Sequence, residues 1–409
     1  MKKINKIAIV WESDTGGGVN SYLRYLLHSK VFLEKEITIF TNFENQGAKP
    51  LMKDLAKLKN IKFIFFKSFF DGERKNLLEK IIFYFLNPVF LLLTVFKFKK
   101  ILSNSNFDVL LCECGNYGIF RSEQAAILAS KNLRIPVKSM VIHHACQKPP
   151  LFMGAIFRII DFLLIRNLTS LITVSEATKK TLSHNSNLLE SGRLQGHVIH
   201  NGVPINNFER KNYLSSRLIK DNPSALKVGM VSRLSPDKGH ENLILAFSKL
   251  SPEYQKKMIV LIVGENEGNQ KNKLKKLVEN LGLENRIEFL DYVDIDSKKI
   301  ILSLDLFLSL TISFEGFGLS IAEAMSVGTP TLATDVGAVT EFFDNECGKL
   351  IRFSKIEDIK NSLVDFCDNK KVWDTKAQFA KNKIEKHFNA DKMGIDYLNH
   401  LNLKFNQNR

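Results

Sequence analysis

Paired cysteines are what this sequence most plainly lacks. Its five cysteines, Cys112, Cys114, Cys146, Cys347 and Cys367, are odd in number and include no C-x-x-C pair. That excludes a disulfide framework or a cysteine zinc site and predicts a reducing compartment. Paired Cys/His spacing and the aromatic signature of RNA-binding sheets are absent too, so no nucleic-acid partner is expected. The start, MKKINKIAIVWESDTGGG, offers only the apolar residues Ile7 to Trp11 before charge resumes, which is too short for a signal-peptide core and reads as a first strand. No paired Asp cluster marks a divalent cation. No G-x-G-x-x-G with a downstream acidic residue marks a dinucleotide for hydride chemistry.

Long hydrophobic runs are missing as well. The uncharged stretch IIFYFLNPVFLLLTVF, residues 81–96, falls short of the roughly 20 residues that cross a bilayer, and Pro88 interrupts it. Two readings remain: a buried pair of core helices, or a helix lying in a membrane interface between Lys80 and the cluster Lys97, Lys99 and Lys100. Charge favours the interface. Residues 1–200 hold 28 Lys and Arg against 15 Asp and Glu, and the remainder 30 against 28. A basic half suits an anionic membrane surface or a phosphorylated substrate.

What is present suffices for two hydrophobic cores, since 409 residues exceed what one core organises. Short runs of Ile, Val and Phe alternate with longer helical patterns, which predicts parallel strands joined by crossover helices, an α/β doubly wound architecture in each half. Strands are expected at 6–11, 36–41, 62–66, 108–112, 137–143 and 170–175, then at 226–232, 258–264, 287–290, 304–310 and 329–334. A polar, turn-rich stretch near 204–224 divides the chain into domains 1–204 and 205–388, leaving a helix at 389–409 free to pack back on the first.

The chemistry concentrates in SFEGFGLSIAEAMSVGTPTLATDVGAVTE, residues 313–341. Gly316 and Gly318 let the main chain approach a ligand closely. The LSIAEAMSVG stretch reads as a short helix, and its open N-terminus would attract an anion to the amides of Gly316, Phe317, Gly318 and Leu319. The carboxylates of Glu315 and Glu323 would repel a phosphate but accept from sugar or ribose hydroxyls. Together these describe a nucleotide-sugar site. Upstream, GMVSRLSPDKGHENLILAF places Arg233 and Lys238 near one strand end, suited to neutralising a departing diphosphate.

These stretches resemble the family 4 retaining glycosyltransferases. The family's E-x7-E falls on Glu315 and Glu323, and its R-x4-K on Arg233 and Lys238. Its N-terminal glycine turn falls on Gly16, Gly17 and Gly18, and its histidine on VIHHAC, where position favours His143 over His144. Its stretches near the domain junction fall on ITVSEATKK and on VIHNGV, which contains Asn201. The resemblance implies the GT-B fold, two Rossmann-like domains facing a cleft with the nucleotide sugar mainly on the C-terminal one. It implies a UDP- or GDP-sugar donor and a glycan or lipid-linked glycan acceptor, as in bacterial O-antigen or capsule assembly at the cytoplasmic face of the membrane. It also implies front-face transfer without an enzyme-bound intermediate, a cofactor or a metal. Arg233 and Lys238 would stabilise the leaving diphosphate, Glu315 would hold the sugar and Glu323 the ribose. His143 would orient a hydroxyl, while Gly17, Gly18 and Asn201 would line the substrate. A nucleotide-sugar epimerase of the same architecture is the alternative, and a basic nucleic-acid-binding module a third.

Overall fold

The computed structural model describes residues 3–14, 17–70, 77–103, 106–190, 192–209, 211–291, 296–352 and 355–408. The chain forms two compact units, residues 1–201 with 390–409, and residues 202–389, so the division falls three residues before the expected 204.

In the first unit, β1 (Lys6–Trp11), β2 (Glu36–Asn42), β3 (Ile61–Phe66), β4 (Val109–Cys114), β5 (Val137–Ile142), β6 (Ser170–Thr173) and β7 (Gly196–Val198) make one parallel sheet. Its order is β3-β2-β1-β4-β5-β6-β7. In the second, β8 (Leu226–Val231), β9 (Met258–Val263), β10 (Ile287–Leu290), β11 (Leu306–Ser309), β12 (Thr331–Thr334) and β13 (Lys349–Ile351) are also all parallel, in the order β10-β9-β8-β11-β12-β13. Helices cover both faces of such sheets, so the strands read as continuous apolar runs rather than alternating ones; every residue of β4, β5 and β9 is buried. Ile9 lies between Ile39 and Leu111, and Val228 between Val260 and Leu306. The edge strands β7 and β13 span three residues each, too few for a composition signal, and the sequence reading missed both.

Each sheet reverses its strand order once, between β1 and β4 and between β8 and β11. At such a switch point the loops leaving the carboxyl ends of neighbouring strands diverge to opposite faces and open a crevice. This places the functional loops of each unit.

Residues 77–103 form one continuous 27-residue helix with Pro88 inside it, not the pair of helices that Pro88 suggested. Pro88 has no N–H to offer the preceding turn, but its neighbour anchors the helix. The Asn87 amide donates to the Phe120 carbonyl and accepts from the Phe120 N–H, both at 3.2 Å. The apolar sequence does not reveal a face; packing does. Asn87, Leu91, Thr94, Phe98 and Leu102 are buried, whereas Phe85, Val89, Leu92 and Phe96 are exposed. Among the described residues no helix is long and apolar enough to cross a membrane.

The last helix, Ala390–Gln407, belongs to the first unit. The Lys30 N–H donates to Asp391 Oδ1 at 2.9 Å, Ser170 Oγ lies 2.6 Å from His400 Nε2, and the Tyr397 ring packs 5.9 Å from that of Tyr22. Gly394 allows the approach, because a Cβ there would lie 2.3 Å from Ser29 Oγ.

Candidate active site

In the second unit the loops after β8 and β11 meet at the switch point. Lys238 lies in a short 3-10 turn, Pro236–Lys238, closed by Gly239 at φ 78°. A Cβ at Gly239 would come 2.2 Å from the Leu310 carbonyl oxygen, and the Ile312 N–H donates to the Asp237 carbonyl at 2.8 Å. Only glycine allows the β8 loop to close on the β11 loop in this way. The result brings Lys238 Nζ within 2.7 Å of Glu315 Oε1, which also accepts from Thr311 Oγ1 at 2.6 Å. Both members of the pair are largely covered.

A third loop fixes the backbone of Glu315. Gly337 has φ 59°, and its missing Cβ would lie 2.1 Å from the Glu315 carbonyl oxygen. The same oxygen accepts from the Ala338 N–H at 2.9 Å. Gly318, at φ 99°, caps the helix Leu319–Ser326, so the anion-attracting helix start opens three residues from Glu315. Gly316 is buried and Leu319 half-buried.

Glu323 lies in the second turn of that helix, 4% exposed, with Oε2 accepting from Ser297 Oγ at 2.8 Å. Arg233 is more open: Nη1 pairs with Glu267 Oε2 at 3.2 Å, and both side chains are about half-exposed. Phe317 was expected to contribute its backbone amide. Its ring is buried and stacked on Phe342 at 4.6 Å, so only its backbone is placed to meet a ligand. His240, which the motifs did not single out, accompanies the same loop. Its Nε2 is 3.1 Å from Ser232 Oγ, and burial lowers its pKa to about 4, leaving a neutral imidazole.

The first unit holds its own polar clusters at the carboxyl ends of its strands. Gly17 has φ 151°, and neither Gly17 nor Gly18 would bring a Cβ within 4 Å of another group; their amides open the helix Gly18–Leu27. Gly16 lies outside the described residues. Nearby, Glu12 accepts from Ser68 Oγ at 2.6 Å and from the Ser122 N–H at 2.8 Å, while Glu123 accepts from the Glu12 N–H at 2.7 Å. Arg121 pairs with Asp14 at 3.3 Å. Burial, and then the Glu12 charge, push Glu123 up to about 8. Sequence reasoning missed this group: only WESD at the end of β1 hinted at it, and nothing tied it to Arg121 and Glu123.

His143 follows the last residue of β5 and is largely buried. It is 9% exposed, Nε2 is 2.7 Å from Glu113 Oε2, and its ring meets Tyr22 edge-on at 4.5 Å. Burial raises the Glu113 carboxyl, a shift that the His143 hydrogen bond partly offsets. The adjacent His144 is half-buried. Asn201 is 4% exposed, and its Oδ1 finds no hydrogen-bond donor among the described residues. Ser175 caps the helix Glu176–Asn185, accepting from the Thr178 N–H. All five cysteines are unpaired. Burial raises each thiol, Cys146 to about 12 and Cys347 and Cys367 to about 11, so none is a thiolate at neutral pH.

Comparison with known proteins matches this arrangement in part of the sequence and all of the fold. A relative in Methanocaldococcus jannaschii, described as an uncharacterized glycosyltransferase, is 29% identical over 49% of this chain and 50% of its own. The O-antigen biosynthesis glycosyltransferase WclY of Escherichia coli is 28% identical over 37% of this chain and 40% of its own. The chain thus spans half or less of the length of these relatives. Among solved structures, a glycosyltransferase from Rickettsia africae superposes with a TM-score of 0.75 at 20% identity, covering 98% of this chain and 99% of that one. Anabaena HepE, solved with UDP and glucose, gives 0.71 at 20% identity, covering 98% and 100%. Residues 217–386, most of the second unit, match the family of glycosyl transferases group 1, and the chain as a whole has the two-domain α/β GT-B fold.

Proposed function

We propose that this protein transfers a sugar from a nucleoside-diphosphate sugar to an acceptor hydroxyl with retention of anomeric configuration. The observation that carries the reading is the contact between Lys238 and Glu315 at the β8–β11 switch point, beside the helix start at Gly318. As the bond from the anomeric carbon to the diphosphate breaks, negative charge grows on the leaving group, and the acceptor oxygen bonds to the carbon on the same face while its proton passes to the departing diphosphate. Stabilising that leaving group is the largest electrostatic demand. Arg233 and Lys238 meet it, with the amides of Gly318 and Leu319. Glu315 holds the sugar hydroxyls, and Glu323 the ribose. Two cations can take the part of a metal here, so the proposal includes metal independence. UDP- and GDP-sugars are both compatible with these contacts; HepE, with UDP and glucose in its structure, supports the first.

The proposed acceptor is a lipid-linked glycan of a bacterial surface polysaccharide, handled by the first unit at the cytoplasmic membrane face. The exposed apolar side of the helix Leu77–Ser103, with the basic excess of residues 1–200, supports this. So does the O-antigen role in the name of the Escherichia coli relative. The test is a panel of UDP- and GDP-sugars scored for thermal stabilisation and slow donor hydrolysis in EDTA. Stabilisation and hydrolysis with one of them are expected; stabilisation by none, beside a working control enzyme, overturns the reading.

A further inference from the structure

A polar cavity lies at the amino-terminal end of the first sheet's strands, where β5 and β6 begin. Its volume is about 370 Å³, and its lining includes Lys131, Lys138, Arg166, Arg193 and Lys404, with no Asp or Glu among the described residues. Lys138 is the second residue of β5 and His143 follows the strand's last residue, so at about 3.3 Å per residue the cavity is roughly 16 Å from the carboxyl-end loops.

Two of these cations have an ordinary explanation. Arg166 and Lys404 occupy the last turns of the helices Gly154–Asn167 and Ala390–Gln407, where a positive side chain complements the dipole. Lys138 has no such reason. It stands on a strand, is 9% exposed and has no hydrogen-bonding or ionic side-chain partner among the described residues; burial alone lowers its pKa. Lys138 lines a cavity whose other charged side chains are all cations, a local excess of positive charge. A multivalent anion would reverse the balance.

The cavity also opens beside apolar surface. The Arg166 guanidinium covers the exposed Phe162 ring at 4.2 Å. Ile159 of the same helix is exposed, and Phe152, just before that helix, stacks on Phe85 of the helix Leu77–Ser103 at 5.2 Å.

We propose that this cavity binds a phosphate group, with Lys138 at its base and Arg166, Arg193 and Lys404 around it. The phosphate is either that of an anionic lipid headgroup or a free phosphate ester. The inference does not rest on the transferase reading, because donor hydrolysis is scored separately and either can fail alone.

Inorganic phosphate is titrated against the intact protein at constant ionic strength, with melting temperature as the readout. The same titration is run on Lys138→Met, Lys404→Gln and, as a control outside both sites, Lys276→Gln on the helix Gln270–Asn280. Saturable stabilisation is expected, weakened about tenfold in the first two variants and unchanged in the third, the loss of one charged hydrogen bond. Without phosphate, Lys138→Met should melt no lower than the parent, because the ammonium it removes has no side-chain partner among the described residues and Met keeps much of the apolar stem. Flotation with phosphatidylcholine vesicles, with or without phosphatidylglycerol, separates the sources. Weaker retention of both variants on phosphatidylglycerol points to a headgroup, and unchanged retention beside a lost phosphate effect points to a free ester. Stabilisation that is absent, or equal in all four proteins, overturns the site.

Discussion

Lys238 Nζ and Glu315 Oε1 lie 2.7 Å apart, though 77 residues separate them in sequence. They meet because β8 and β11 are neighbours and the two loops that leave them interlock through Gly239. Each satisfies the other, and in the proposed transfer the pair would arrange the site and share its contacts with the donor. Lys238→Ala and Glu315→Ala should each lower transfer at least about a hundredfold, the scale of losing one oriented electrostatic group. Because the two are in contact, the double variant should lose far less than the product of the single losses. Steady-state kinetics on the three variants measures this.

Gly337 carries a different prediction. With φ 59° and a Cβ that would lie 2.1 Å from the Glu315 carbonyl oxygen, Gly337→Ala combines backbone strain with a clash against main chain that cannot swing away. A loss of about 1–3 kcal/mol is expected from such strain, with weaker donor binding as the Glu315 loop shifts. Denaturant unfolding and a donor titration measure the two effects.

Glu123 makes the first unit sensitive to pH. Its folded pKa of about 8 lies above the ordinary carboxyl value of 4.5, so the folded state binds the extra proton between those values. The stability tied to that proton is fully present below about pH 4.5 and is lost as pH rises through 8. Glu123→Gln, which keeps an acceptor for the Glu12 N–H, should flatten the fall in melting temperature between pH 5 and pH 9. An unchanged slope would mean that Glu123 is ionised in the fold.

Docking of the last helix depends on the close approach at Gly394. Gly394→Val would drive a branched side chain into Ser29, costing about 1–3 kcal/mol as overpacking does, and would expose Tyr397. Hydrogen exchange should show faster opening of residues 390–407.

The exposed side of the helix Leu77–Ser103 gives a prediction free of the fold. Phe85 and Phe96 are 64% and 62% exposed, so changing both to Ser should leave the melting temperature within about 0.5 kcal/mol equivalent. Retention on anionic vesicles should fall several-fold, because that face is proposed to enter the interface.

How much was legible in the sequence varies with the distance over which the cause acts. Eleven of the strands announce themselves as apolar runs, since burial on both faces selects the same residue types throughout. Glu315, Gly318 and Glu323 could be read together because they lie within one loop and helix. Thr311 and Ser297 could not: their roles come from the fold of neighbouring loops. Nor could the sequence show that Glu113, from the adjacent strand, meets His143 Nε2 at 2.7 Å.

By itself the sequence determined the doubly wound class, the two-unit division and the residue types of the loops proposed to hold the donor, because local periodicity, turn glycines and short-range spacing are properties of contiguous chain. Tertiary structure alone decided which face of the uncharged helix is covered, where the last helix docks, and that Lys138 stands as an unpaired ammonium in a cavity of cations. Those outcomes depend on strand order and packing between segments up to hundreds of residues apart, and no local pattern encodes them.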